Sequence, residues 1–138
     1  MNITRGDIYY IQSYFSSGSE QQSGRPAVIV SNELNNRHSS TVEVVYLTTQ
    51  PKNDLPTHVT IRSAPKESIA LCEQISTVAL ERIGTYAGHV TGAEMAQLEI
   101  PMMIFLAIQC AAVPVQAEEK QDPVYPPEKQ RFRPSLPL

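Results

Sequence analysis

The sequence predicts a mainly β domain, a small antiparallel, barrel-like sheet with one helix packed on it. Five or six short segments are rich in β-branched and aromatic residues and are separated by turn-forming residues. They do not alternate with helices, as the strands of a parallel sheet would. Apolar residues recur at a convincing helical spacing only after Thr91.

The expected strands follow one another through residues 7–89. The first covers residues 7–11, and a long polar loop at 16–24 separates it from the second at 27–31. Residues 32–40 suit either a turn or a short helix. The later strands are expected at residues 41–48, 58–62, 68–75 and, after a turn at 78–81, at 82–89.

The helix is expected to begin after Thr91, because Thr-Gly-Ala-Glu has the spacing of a capping box in which Thr91 and Glu94 satisfy backbone N–H groups. Pro101 removes a helical hydrogen bond and clashes with the preceding turn, at a cost of about 3 kcal/mol. We therefore expect a kink or break near residues 99–101. One apolar face is formed by Met95, Leu98, Met102, Phe105 and Leu106. The residues expected to serve as core or dimer contacts are Met95, Met102, Met103 and Phe105.

Composition divides the 138 residues into a domain at 1–112 and a tail at 113–138. The tail holds six of the 11 prolines and no regular periodicity, so we predict that it is disordered or weakly extended.

No apolar run approaches the roughly 18 residues that span a bilayer, which excludes an integral membrane protein. The N-terminus lacks a secretory pattern, and we expect a cytoplasmic protein. Cys72 and Cys110 are expected to be buried free thiols.

The formal net charge of −3 argues superficially against a nucleic-acid partner. The charges are unevenly distributed, however. Residues 1–66 carry six basic and five acidic side chains, whereas residues 67–112 carry one basic side chain and five acidic ones. An anionic partner is therefore expected to contact the N-terminal half.

Several motifs go beyond secondary-structure propensity. They lie at residues 5–9, 18–21, 24–26, 28–32, 47–50, 55–59, 71–75 and 80–84. Each motif alone is weak, because tripeptides such as Gly-Arg-Pro and Thr-Thr-Gln are common. Their order and spacing together resemble the MazF/PemK family of toxin endoribonucleases, and the resemblance covers roughly residues 4–110.

The resemblance implies an SH3-like barrel of the PemK/CcdB type with a C-terminal helix, forming a homodimer. It implies a sequence-specific endoribonuclease that cleaves single-stranded RNA without a metal or cofactor, leaves 2′,3′-cyclic phosphate and 5′-hydroxyl ends, and inhibits translation and growth. A cognate MazE/PemI-like antitoxin would neutralise it. The family's catalytic residues fall on Arg25 and Thr48. RNA-binding positions are expected at Ser19, Glu20, Gln21, Asn32, Thr49, Gln50, His58 and Gln74.

These residue types suit the implied chemistry. Attack of a ribose 2′-hydroxyl on its own phosphate builds negative charge on the nonbridging oxygens, which an Arg25 guanidinium can bind. Thr48 would donate its hydroxyl to a phosphate oxygen. Arginine is a poor general base, so the 2′-proton would pass to Glu20, His58 or water.

Other interpretations of the same residues remain open at this point. Arg25 is also compatible with a cation in a loop at the start of a strand. Thr48 is compatible with an ordinary strand residue, and Gln74 with a strand residue whose side chain faces outward. The alternatives for the same fold are a CcdB-like toxin that binds gyrase and a noncatalytic SH3-like module that binds peptides, although the positions of Arg25 and Thr48 favour the nuclease.

Overall fold

The structure, a computed structural model, describes residues 2–13, 24–50 and 53–109. Met1–Ile108 forms one compact unit, and the second unit, Gln109–Leu138, lies almost entirely outside the described residues. The boundary at residue 112 and the tail therefore remain predictions. Cys72 is a buried free thiol, as expected, whereas Cys110 is outside the described part. No described helix is long and apolar enough to cross a membrane.

The predicted succession of strands is confirmed, with two corrections. β2 begins two residues earlier than expected, and β5 does not stop at residue 75 but pairs with the whole of β3 to its first residue. The turn expected at 78–81 is accordingly displaced, and a 3₁₀ turn covers Leu80–Arg82. The elements are β1 (Asp7–Ile11), β2 (Arg25–Ile29), α1 (Glu33–His38), β3 (Thr41–Thr48), β4 (His58–Ile61), β5 (Ser68–Ala79), β6 (Ile83–His89) and α2 (Gly92–Leu106).

The six strands form one antiparallel sheet in the order β4-β5-β3-β2-β1-β6. Within the described residues β4 and β6 are its edges, so the predicted barrel is an open, barrel-like sheet. The register between β3 and β5 shifts sharply, because Val45 pairs with Ile75 whereas Leu47 pairs with Ala70. Residues 71–74, which we call the β5 bulge, therefore lie opposite the single residue Tyr46.

Alternate residues of the central strands supply two separate hydrophobic clusters, one on each face of the sheet. The first contains Val28, Val45 and Leu47 and is covered by α2 through Leu98. The second contains Ala27 and lies on the other face. β2 is thus buried on both faces, which fixes its position in the sheet. Besides Ala27, the buried residues of the second cluster are Ile3, Tyr9, Ile11, Ile29, Val42, Val44, Val78 and Ile83.

The capping box at the start of α2 is confirmed: the Thr91 hydroxyl accepts from the Glu94 N–H at 3.0 Å, and Glu94 accepts from the Thr91 N–H at 2.9 Å. Glu94 also accepts from the Ser63 hydroxyl at 2.6 Å and from the Arg62 N–H at 2.8 Å. Partial burial opposes ionisation of this carboxyl, but these hydrogen bonds outweigh it and lower its pKa. One ionised side chain therefore caps the helix and ties it to the β4–β5 connection.

Of the kink or break expected near residues 99–101, the break is wrong, because α2 continues through Pro101 to Leu106, and the kink stays a prediction. Pro101 deprives the carbonyl of Gln97 of its helical partner, and Gln97 is exposed, so water can replace that hydrogen bond. The proline ring itself is buried.

The motif at residues 5–9 has a structural role at the junction of β1 and β6. Asp7 is buried, and its carboxylate accepts from the Tyr9 hydroxyl at 3.2 Å and contacts His89 Nδ1 at 2.8 Å. Burial, followed by the charge of Asp7, raises the pKa of Tyr9 to about 12. Gly6 has a φ of 97°, and a Cβ there would lie 2.9 Å from the His89 ring, so the position requires glycine.

A close approach between two backbones explains the glycine of the Gly-Arg-Pro motif. An ideal Cβ on Gly24 would lie 2.1 Å from the carbonyl oxygen of Ile11, a backbone atom of the neighbouring strand. Any side chain at this position must push β1 away from the start of β2.

We expect Thr91→Ala to lower the free energy of unfolding by about 1 kcal/mol, because the Glu94 N–H loses its capping acceptor. Urea unfolding monitored by circular dichroism measures the change. Thr91→Ser keeps the hydroxyl and should unfold close to the wild type. Equal losses in both variants would contradict a capping role.

We expect Gly24→Ala to lower the free energy of unfolding by about 2–3 kcal/mol through this clash. Gly92→Ala is the matched control, because a Cβ at Gly92 meets nothing within 4 Å and the residue is helical. The control should be neutral or more stable by up to about 1 kcal/mol. Both values come from chemical denaturation at one pH, and a Gly24→Ala protein as stable as the control would refute the close approach.

Candidate active site

The pairing of β2 with β3 brings Arg25 and Thr48 together. Ala27 pairs with Tyr46 and Val28 with Val45, and continuing this antiparallel alternation by two residues places Arg25 opposite Thr48. Directly opposed residues project from the same face of a sheet, with Cβ atoms about 5 Å apart. The two side chains that the sequence singled out therefore share one patch at the end of β3.

This patch lies on the face of the sheet away from α2. Leu47 belongs to the cluster beneath α2, and side chains alternate along a strand, so Thr48 projects to the other side. On β2 the same alternation puts Arg25 on the face of Ala27. Arg25 is exposed and Thr48 is half-buried, so a ligand on this face can reach both.

Two neighbours position Arg25. Gly24 allows the chain to pass close to the Ile11 carbonyl just before β2 begins. The guanidinium carbon Cζ lies 4.3 Å from the centre of the Tyr46 ring, within the range of a cation–π contact. In the described part of the chain, no carboxylate forms an ion pair with Arg25.

Thr48 is the last residue of β3, and its hydroxyl oxygen accepts from the backbone N–H of Gln50 at 3.1 Å. This contact orients the hydroxyl and leaves its proton available for donation. Thr49 and Gln50 are exposed in the turn that follows and lie beside the patch. They are placed where a bound chain could contact them.

His58, the first residue of β4, is held in a small polar cluster with Glu73 and Thr57. Its ring Nε2 lies 3.1 Å from Glu73, its Nδ1 lies 2.8 Å from the Asn53 carbonyl, and its side chain is only 9% exposed. The Thr57 hydroxyl also donates to Glu73, at 2.8 Å. Partial burial opposes ionisation of Glu73, but the hydrogen bonds from Thr57, its own backbone and His58 lower its pKa.

The two contacts of His58 limit its chemistry. Nδ1 lies within hydrogen-bonding distance of a backbone carbonyl and Nε2 of a carboxylate, so the protein already engages both ring nitrogens. The geometry makes His58 an anchor between the β3–β4 connection and the β5 bulge, and it does not suit a general base.

The other predicted RNA-binding residues are not all brought to Arg25. Gln74 is exposed in the β5 bulge, on the strand that flanks β3. Asn32 lies beyond the far end of β2, about 20 Å of extended chain from Arg25, and its side chain caps α1 by accepting from Asn35 N–H at 2.8 Å. Ser19, Glu20 and Gln21 lie outside the described residues.

Sequence reasoning missed Tyr46 and the role of Glu73. Tyr46 stands two residues before Thr48, so the period of a strand could have placed both on one face. Its contact with Arg25 depends on the β2–β3 register, which no local pattern specifies. In the described ranges, no group of three or more His, Cys, Asp or Glu side chains could hold a metal ion.

Comparison with known proteins assigns the chain to a family. Residues 4–106 match the model for the PemK-like, MazF-like toxin of type II toxin–antitoxin systems. The chain is 34% identical over 113 residues to the Endoribonuclease EndoA of Bacillus subtilis, an alignment that covers 78% of this chain and 97% of the relative.

Solved structures agree with this assignment. A mycobacterial endoribonuclease matches with a TM-score of 0.66 and 28% identity, over 80% of this chain and 96% of its own. A mycobacterial endoribonuclease in complex with its cognate antitoxin matches with a TM-score of 0.67 and 28% identity, over 78% and 98% of the two chains. The fold, the order of the motifs and these similarities lead to one conclusion: this chain belongs to the PemK-like, MazF-like toxin family of type II toxin–antitoxin systems.

Proposed function

We propose that the chain is an endoribonuclease toxin that cleaves single-stranded RNA, including mRNA, at a short sequence and thereby inhibits translation and growth. The observation that carries the proposal is the β2–β3 register, which sets Arg25 opposite Thr48 on the sheet face away from α2. Family membership and the name of the 34% identical relative, an endoribonuclease, support the same activity. Both favour it over gyrase binding or noncatalytic peptide binding.

The reaction is an internal transfer at phosphorus. The ribose O2′ forms a bond to the adjacent phosphorus, the bond from phosphorus to O5′ breaks, and the products carry a 2′,3′-cyclic phosphate and a 5′-hydroxyl. The Arg25 guanidinium stabilises the charge that develops on the nonbridging oxygens, and the Thr48 hydroxyl donates to one of them. Neither role calls on a metal or a cofactor.

The proton balance needs two further groups. O2′ loses a proton as it attacks, and O5′ gains one as it leaves. Because both ring nitrogens of His58 are engaged, we assign the 2′-proton to Glu20 or to water, and we assign His58 to holding the loop that follows Thr48. The proton that O5′ gains comes from Arg25 or from water. RNA contacts are proposed for Ser19, Gln21, Thr49, Gln50 and Gln74, whereas Asn32 has no support from its position.

The proposed partners follow from the family and from the exposed surface. A homodimer is supported by the C-terminal half of α2, where large apolar side chains are between 48% and 59% exposed. An antitoxin of the MazE/PemI kind is supported by the matched complex of a toxin with its cognate antitoxin. We place the protein in the cytoplasm, where mRNA is translated. The apolar side chains are Ile100, Ile104, Phe105 and Leu106, followed by Ile108.

The first prediction concerns the two catalytic residues. Purified protein incubated with long single-stranded RNA in EDTA should give discrete fragments with 5′-hydroxyl ends. Arg25→Ala should lower kcat by about 10²–10³-fold, because the developing charge loses its main donor. Thr48→Ala should lower it by about tenfold or more, the effect of one lost hydrogen bond.

Arg37→Ala is the control for this assay, because Arg37 is an exposed arginine of α1, beyond the opposite end of β2. It should cleave at the wild-type rate. Mapping the fragment ends also identifies the cleavage sequence. The proposal is wrong if no discrete cleavage occurs, or if Arg25→Ala cleaves as fast as Arg37→Ala.

The second prediction concerns the anchor formed by His58 and Glu73. Because hydrogen bonds lower the pKa of Glu73 in the folded protein, its ionised form stabilises the fold above its ordinary pKa of 4.5, and this contribution is lost as pH falls through the folded value. Glu73→Gln should cost about 1–2 kcal/mol at pH 7 and progressively less below pH 4.5.

Urea unfolding at several pH values measures this difference, with Glu67→Gln as the control. Glu67 lies 3.8 Å from Arg62, and both side chains are mostly exposed, so its removal should change stability little at any pH. A loss in Glu73→Gln that stays constant with pH would show that the charge of Glu73 does not stabilise the fold.

A further inference from the structure

Tyr46 is the residue of the active-site face that neither the sequence motifs nor the proposed reaction uses. It lies in β3, opposite Ala27 of β2 on one side and opposite the β5 bulge on the other. Its side chain is partly buried and packs against the hydrophobic cluster that contains Ala27. The sheet therefore holds the ring in place, two residues before Thr48 on the same strand.

Arg25 rests on this ring. The guanidinium carbon lies over the ring, 4.3 Å from its centre, so the cation contacts the π face of the tyrosine. A guanidinium carries its five N–H donors in its own plane. A cation–π contact holds the group without a carboxylate or carbonyl that would compete with a phosphate for these donors.

Arg5 shows the contrasting arrangement in the same fold. Its Nη1 donates to Glu99 at 3.1 Å, and its Nε donates to the Val30 carbonyl at 2.9 Å. These acceptors fix the side chain but occupy part of its donor edge. An exposed arginine that must receive a substrate phosphate cannot be fixed in that manner, since a neighbouring carboxylate would compete with the phosphate.

We propose that Tyr46 is a positioning residue for catalysis, whose ring holds the Arg25 guanidinium in place while leaving its donor edge free for the reacting phosphate. This inference rests on the proposed ribonuclease activity. Restricting a flexible arginine before the substrate arrives avoids its ordering cost in the transition state. Tyr46 therefore acts on the chemical step through Arg25 and makes no contact of its own with the phosphate.

Three variants test the inference in single-turnover cleavage of an RNA that carries one mapped site, with enzyme in excess. Tyr46→Leu removes the ring and should lower the maximal rate about three- to tenfold with little change in the half-saturating enzyme concentration. Tyr46→Phe keeps the ring and should restore the rate. Tyr86→Leu is the matched control, because Tyr86 is 55% exposed on β6 and its ring contacts Tyr9. It should cleave as the wild type does.

A double-mutant cycle separates positioning from independent roles. In an Arg25→Ala background, Tyr46→Leu should cause no further loss of rate, because the side chain that it positions is gone. The same cycle measured by thermal unfolding should also show non-additive shifts in Tm, and this readout does not depend on RNA cleavage. If the wild type fails to cleave RNA while the Tm shifts remain coupled, the proposed function fails and the Arg25–Tyr46 contact stands.

Four results would overturn the inference. These are an unchanged rate in Tyr46→Leu, a loss in Tyr46→Phe as large as that in Tyr46→Leu, a weakened half-saturation with an unchanged maximal rate, and additive losses in the Arg25→Ala background. The third would mean that Tyr46 stacks on an RNA base, since base stacking contributes to binding.

Discussion

Backbone pairing between β2 and β3 holds the candidate active site together, because it sets Arg25 opposite Thr48 and Tyr46 opposite Ala27. A slip of one residue would turn every side chain of a strand to the other face. β2 cannot slip at low cost, since Val28 is buried in one hydrophobic cluster and Ala27 in the other. Apolar packing in the interior therefore fixes the relative positions of Arg25, Tyr46 and Thr48.

Some polar side chains of the fold form hydrogen bonds within the protein, whereas others are left to bind a ligand. The carboxylates of Asp7, Glu73 and Glu94 each accept several hydrogen bonds and secure a strand junction, a loop and a helix start. The Arg25 guanidinium contacts the ring of Tyr46 and not one of these carboxylates. Burial also raises the pKa of the Cys72 thiol to about 11, which keeps this thiol protonated and unreactive.

Local patterns were enough for most of the secondary structure. The strands followed from β-branched and aromatic residues between turns, and the start of α2 followed from Thr91 and Glu94. The expected break at Pro101 does not occur, and Gln97, whose carbonyl loses its helical partner, is an exposed residue. Local patterns also failed at the end of β5, where pairing with the first residues of β3 extends the strand. Family resemblance supplied Arg25 and Thr48, whereas Tyr46 and the anchoring of His58 depend on strand registers between distant segments.

The pairing of β1 with β6 has a consequence for the newly synthesised protein. Asp7 pairs with His89, and the hydrogen bond between their side chains joins residues 82 positions apart. A chain still attached to the ribosome can pair β1 with β2 early, but the other edge of β1 stays open until β6 has left the exit tunnel. During that interval the nascent toxin presents an unpaired strand edge, to which a chaperone or another chain can add a strand.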